Sequence, residues 1–265
     1  MNFENKSFRQ RLGSMLRVDF GRMFKSRLFY IIIAVFFVMP ILMTVMMAMM
    51  DGTVSVDRVT GEETVMVGPE NAWQNIGTLP GGAAMGGMDV FAMCNINMAF
   101  MGVAVFVCIF IAEDFRSGFA KNLFTTRAKK GDYVVSKTLA GFLCGSLMLI
   151  LYFLGSMFGG IIANLSFDLM GLTPLNILAC LMSKLLLMLV FVPIFVLISV
   201  GSKSKAWLSI CGSLGGGMLL FMTVSMISPL ESTIMNVLLC GLGGAIFSIG
   251  LGAISRTVLN KTALV

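Results

Sequence analysis

Six apolar runs, each long enough to cross a bilayer as a helix, leave this chain little length with which to build anything else. A helix needs about 20 apolar residues to traverse the hydrocarbon core. Such runs fall at Leu28–Met50, Val90–Ala112, Thr138–Ala163, Leu175–Val200, Ala206–Ile227 and Ser232–Ile254. Only the fourth carries a charge, Lys184. Composition explains why water cannot be the main solvent. Charged residues make up 12% of the chain and the mean hydropathy is +0.94, whereas a soluble domain carries about 25% charged residues. The expected fold is therefore an all-α integral membrane protein, one transmembrane domain over residues 1–265. The first apolar run is too long for the core of a cleavable signal and is expected to stay in the mature protein.

The placement of lysine and arginine orients the spans. With six crossings the two termini share a side. On that side lie the stretch before the first span, residues 113–137, Lys203, Lys205, Arg256 and Lys261, seventeen cations in all. The other side has Arg58 alone, together with Asp51, Asp57, Glu62, Glu63, Glu70, Asp89, Asp168 and Glu231. Cytoplasmic loops carry the excess of lysine and arginine. Both termini are thus expected in the cytoplasm of a plasma membrane, bacterial in type, and residues 51–89 form the one large external loop. Thr53–Val59 and Thr64–Val67 flank Gly61 and read as a short hairpin within it.

Before the first span, Phe8, Leu12, Met15, Leu16, Phe20, Met23 and Phe24 recur at helical spacing, with Arg11, Arg17, Arg22 and Lys25 mostly opposite. This predicts an interfacial amphipathic helix within residues 1–27, its cations toward lipid headgroups. Asp19 falls on the apolar side and does not fit.

Chemistry inside the spans is scarce. The chain has no histidine, which removes histidine bases and most zinc sites. No carboxylate lies within an apolar run, so paired acids for catalysis are missing there, and the chain is expected not to be an enzyme. Its six cysteines, each in an apolar run, read as small buried hydrophobes. Gly131–Thr138 resembles a P-loop in its first glycine and its Lys137-Thr138 end, but Ser136 replaces the second glycine and no strand precedes it. Lys184 is the one intramembrane charge, and its position suits snorkelling to external headgroups. Together with Pro40, Asn95 and Asn97 it is also a candidate for a substrate path. Pro40 and Pro193 interrupt their helices. Gly155 with Gly159, and Gly212 with Gly216, allow close helix approach within one subunit or between subunits.

The segment Glu113–Lys137 is the most informative. Phe115, Phe119 and Leu123 are four apart and give a short helix one apolar face, with Arg116 off it. Glu113 and Asp114 are read as ending the second span and anchoring the helix that follows, with Arg116, Arg127 and Lys137 as the nearest cations. The order of a basic entry helix, a span, an external loop, and a span ending in Glu113-Asp114, then Gly118, Arg127, Tyr133 and Ser136-Lys137, resembles the ABC-2 permeases. That resemblance implies a half-transporter coupled to separate ABC ATPase subunits and paired with a second copy or a sister permease. The coupling residues it implies are Glu113, Asp114, Phe115, Arg116, Gly118, Phe119, Leu123 and Arg127. ATP and Mg would sit on the partner ATPase, with no cofactor in this chain. The expected function is export of a hydrophobic or peptide-like substrate through the bilayer, with no nucleic-acid partner. A non-transporting scaffold or a passive channel is the alternative.

Overall fold

The computed structural model describes residues 8–56, 63–65, 68–77, 95–125, 129–202 and 205–261, with the backbone alone at 55, 56, 63, 64 and 218–222. Arg127, Lys203, Gly61, Cys94 and the start of the second expected span at residues 90–94 lie outside these residues.

The described chain is helical apart from one small hairpin. Helix α1 (Phe8–Lys25) leads through Ser26 into α2 (Arg27–Met49). Strands β1 (Val54–Val56) and β2 (Glu63–Val65) pair antiparallel, with Val54 opposite Val65. A single 3-10 turn at Ala72–Asn75 precedes α3 (Met98–Arg116) and the short α4 (Phe119–Thr125). Then follow α5 (Lys130–Ile162), α6 (Pro174–Gly201), α7 (Ala206–Ile227) and α8 (Ile234–Lys261). Five of these, α2, α3, α5, α6 and α8, are long and apolar enough to cross a membrane. The chain is an all-α, multi-pass membrane protein. Helix α7 has the same bounds as the fifth expected span.

Helices α3, α5 and α6 form the core. Phe100, Val103, Val107, Met148, Met188, Phe191 and Phe195 interlock there, all buried. Helix α2 lies against α5, α8 against α6, and α7 against both α3 and α6. The outward faces of α2 and α8 expose rows such as Ile31, Val35, Leu42, Leu238, Leu242 and Ile246. So much bare hydrocarbon is stable only in lipid, where it replaces the polar coat of a soluble bundle.

Glycine decides two of these contacts. A Cβ at Gly155 would lie 2.3 Å from the Phe37 carbonyl oxygen, and one at Gly159 would lie 2.9 Å from Thr44 Cβ. Both glycines therefore seat α5 directly on α2. A Cβ at Gly212 would come 3.1 Å from Ile198, on the α7–α6 contact. These pairs work within one subunit.

Two helices outrun the expected spans, and one cysteine is not buried as expected. The helix that holds the second expected span does not stop at Ala112: α3 runs on through Glu113 and Asp114 to Arg116, because Asp114 finds cations and need not leave the helix. The helix that holds the third expected span starts at Lys130, before Thr138, and is 33 residues long. At 1.5 Å per residue it measures about 50 Å, against a hydrocarbon core of about 30 Å, so its first two turns can carry charge beyond the apolar layer. The P-loop-like stretch is simply part of this helix. The cysteines are buried as expected at 108, 144, 180 and 240, but Cys211 is exposed on α7.

Candidate functional site

Two buried polar clusters stand at opposite ends of the bundle. At the end bearing α1, here the proximal end, Asp19 lies one helical turn from Met23 on the face of α1 that packs on α5. Its Oδ1 accepts from Lys137 Nζ at 2.6 Å and its Oδ2 from Ser136 Oγ at 2.6 Å. Lys137 Nζ also lies 2.7 Å from Asp114 Oδ2. Asp114 accepts in addition from Arg22 Nη1 at 2.5 Å and from Tyr133 Oη at 2.9 Å. Two carboxylates and two cations thus balance, drawn from α1, α3 and α5. Aromatic rings roof them: Lys137 Nζ is 4.1 Å from the Phe110 centroid, and Arg22 Cζ 4.3 Å from that of Phe119. Phe124 meets Tyr133 edge to face.

Burial makes this cluster demanding. Asp114 has no exposed surface and Lys137 only 2%. Two such charges taken from water cost several kcal/mol each unless paired with good geometry. Here each oxygen of the two carboxylates has a donor at 2.9 Å or less, so the cluster fixes α1, α3 and α5 to one another. Flanking contacts extend it. Arg11 Nε donates to Asp132 at 2.8 Å, and Lys130 Nζ donates to the Leu259 carbonyl of α8 at 3.0 Å.

Of the expected site residues, Asp114 is at the centre of this cluster, while Glu113 and Arg116 are exposed beside it. Asp114 bonds across to α1 and α5; it does not cap the following helix. Gly118, at φ +73, makes the turn between α3 and α4. Phe115 belongs to α3, whereas Phe119 and Leu123 belong to α4. Their apolar sides face the bundle, and α4 presents Lys121, Asn122 and Thr125 outward. Asp19, Arg22, Tyr133, Ser136 and Lys137 were not among the expected coupling residues. The signals for them were Asp19, an acid on the apolar face of its helix, and the place of Tyr133, Ser136 and Lys137 in the motif that follows Glu113-Asp114.

The second cluster lies toward the other, distal end. Lys184 does not snorkel: it has no exposed surface, and its Nζ donates to Asn97 Oδ1 at 2.9 Å and Ser228 Oγ at 3.0 Å. Neighbouring helices enclose it because α6 is packed on α3, α7 and α8 at this level. Asn97 Nδ2 donates in turn to Ser225 Oγ at 2.8 Å, and Asn95 Oδ1 accepts from the Asn97 amide at 2.9 Å. Asn95, Asn97 and Lys184 are therefore one constellation. Pro40 is not in it; it lies on the α2–α5 contact beside Gly155.

No protein-family model, curated protein or solved structure matches this chain.

The two clusters can do different things. The proximal one is charge-balanced and ties three helices together. The distal one holds a cation among neutral oxygens. Among the described residues no three metal-binding side chains converge.

Proposed function

We propose that this chain is the membrane-spanning permease subunit of an ATP-driven exporter of the ABC-2 type, with ATP hydrolysed on a separate subunit. In this reading α7 is a sixth crossing, the proximal end is cytoplasmic, and the hairpin end is external. Two such subunits, or this one and a sister permease, enclose the path of a hydrophobic or peptide-like substrate. The supporting observation is the buried quartet Asp19, Arg22, Asp114 and Lys137. It welds the amphipathic entry helix α1 to two long apolar helices, beside the short helix α4. A push on α4 or α1 is then a push on α3 and α5, because separating them would strand buried charge.

ATP-driven switching needs a partner whose affinity differs between the two states of the bundle. The face available to it is polar: Glu113, Arg116 and Lys121 are exposed on or next to α4. Affinity purification of the full chain from its native membranes tests the reading. A polypeptide with Walker motifs is expected to co-purify, and Arg116→Glu with Lys121→Glu is expected to weaken its retention. Purification without any ATP-hydrolysing subunit would count against the proposal.

A further inference from the structure

The same chain treats its two buried lysines differently. Lys137 meets two carboxylates. Among the described residues, Lys184 meets none and donates only to an amide and a hydroxyl oxygen. An ammonium has three donors, so two neutral acceptors leave it under-served. It lies ten residues into α6, about 15 Å from the helix start at 1.5 Å per residue. Asn97, its amide partner, is also the N-cap of α3, whose positive end adds to the local charge. A cation at this depth is costly without an anion.

The segment Gly68–Gly77 packs over Cys180, one helical turn from Lys184. Ile76 is fully buried against Ile177, Cys180 and Leu230, with Trp73, Phe153 and Met157 around them. Cys180 is one turn from Lys184, and its thiol donates to the carbonyl of Ser228 at 3.3 Å, the same residue whose hydroxyl receives Lys184. The Asn75 carbonyl accepts from the Ile96 amide at 2.9 Å. The roof thus rests on both walls of the lysine site. Its first residue is tied to a carboxylate, the Gly68 amide donating to Asp51 Oδ1 at 2.7 Å, and the rest is held by neutral groups. Asn71 Nδ2 donates to the Asp168 carbonyl at 2.6 Å, and Trp73 Nε1 to the Phe167 carbonyl at 3.2 Å. Asn75 Nδ2 donates to Thr44 Oγ1 at 3.0 Å. Neutral hydrogen bonds are weaker than charge-assisted ones, so most of the roof is held less firmly than the ion cluster at the other end.

We infer that Lys184, Asn97 and Ser228 form a binding site for the carboxylate head of an amphiphile, opened and closed by the segment Gly68–Gly77. A carboxylate accepts from the ammonium and from the second N–H of the Asn97 amide nitrogen, the first being given to Ser225, while the Ser228 hydroxyl, which donates to the Val224 carbonyl at 2.7 Å, lines the site. Its apolar body takes the place vacated by Ile76, against Ile177, Leu230 and Met157. The site rests on the export reading only for its purpose, because binding is measured on this chain without an ATPase.

The chain has two tryptophans, Trp73 in the roof and Trp207, which is exposed on α7. In the full-length Trp207→Phe protein, held in nanodiscs of zwitterionic lipid, Trp73 fluorescence reports the roof. Dodecanoate is expected to give a saturable change, and dodecanol at equal loading none. Lys184→Met is expected to weaken the dodecanoate response about tenfold or more, the loss of a charge-assisted pair. Asn75→Ala is expected to tighten apparent binding severalfold, because the open state is then more populated. Dodecyl phosphate binding as tightly as dodecanoate would overturn the assignment to a carboxylate. A response to dodecanol, or an unchanged response in Lys184→Met, would overturn the site. No effect of Asn75→Ala would overturn the roof.

Discussion

At the scale of single residues, the chain separates charges that hold the bundle together from charges that merely decorate it. Lys137 holds two carboxylates together. Lys137→Met leaves Asp19 and Asp114 facing each other without their shared cation. Removing one partner from a buried ion cluster costs about 3–5 kcal/mol. We expect a clear fall in the unfolding midpoint in detergent, with partial recovery when Asp19→Asn is added. Arg11→Gln removes a pair whose arginine side chain is 26% exposed, and should cost no more than about 1 kcal/mol. Equal losses in Lys137→Met and Arg11→Gln would show that burial does not set the hierarchy. Asp19 explains why this cluster was only half legible beforehand. Its misfit on an apolar helix face is visible in the sequence, but its partner Lys137 lies 118 positions away. Nothing in local spacing could join them. Lys184 failed differently: snorkelling assumes a lipid-facing side chain, and the face that α6 buries is fixed only by packing.

At the scale of elements, apolar run length located the helices well and their ends poorly. The runs at Leu28–Met50, Leu175–Val200 and Ala206–Ile227 coincide with α2, α6 and α7 to within a residue. Where a helix carries paired charge past its apolar stretch, as α3 does at Asp114 and α5 at Asp132 and Lys137, hydropathy stops early and the helix does not. The contact of α2 with α5 depends on absent side chains. Gly155→Ala would place a methyl 2.3 Å from a backbone oxygen of α2, and backbone must move to relieve it. Overpacking of this kind costs about 1–3 kcal/mol. A Cβ at Gly243, on the outward side of α8, meets nothing within 4 Å, so Gly243→Ala should be neutral or slightly stabilising. Thermal unfolding of the two variants side by side checks this, and equal stability would contradict close α2–α5 contact.

At the scale of the whole molecule, a bundle with bare apolar flanks carries a charge-balanced ion cluster at one end and an under-neutralised cation toward the other. The proposed orientation puts the cation-rich end in the cytoplasm. A reporter fused after Gly61 should behave as external and one fused at Val265 as cytoplasmic; cytoplasmic labelling after Gly61 would reverse the whole arrangement. Because residues 131–138 are just over two turns of α5 rather than a phosphate loop, the chain alone should bind no ATP. Azido-ATP crosslinking to Lys137 would show otherwise. The most direct measurement is substrate-stimulated ATP hydrolysis by the complex purified through this chain and reconstituted in liposomes, with Asp114→Asn compared to the unmodified protein. Asp114→Asn leaves Lys137 paired with Asp19 while loosening α3 from α1. Allosteric coupling of the usual size corresponds to about 5–150-fold effects, so the account predicts that the ATPase subunit still co-purifies while its stimulation falls about tenfold. Undiminished stimulation in Asp114→Asn would contradict it.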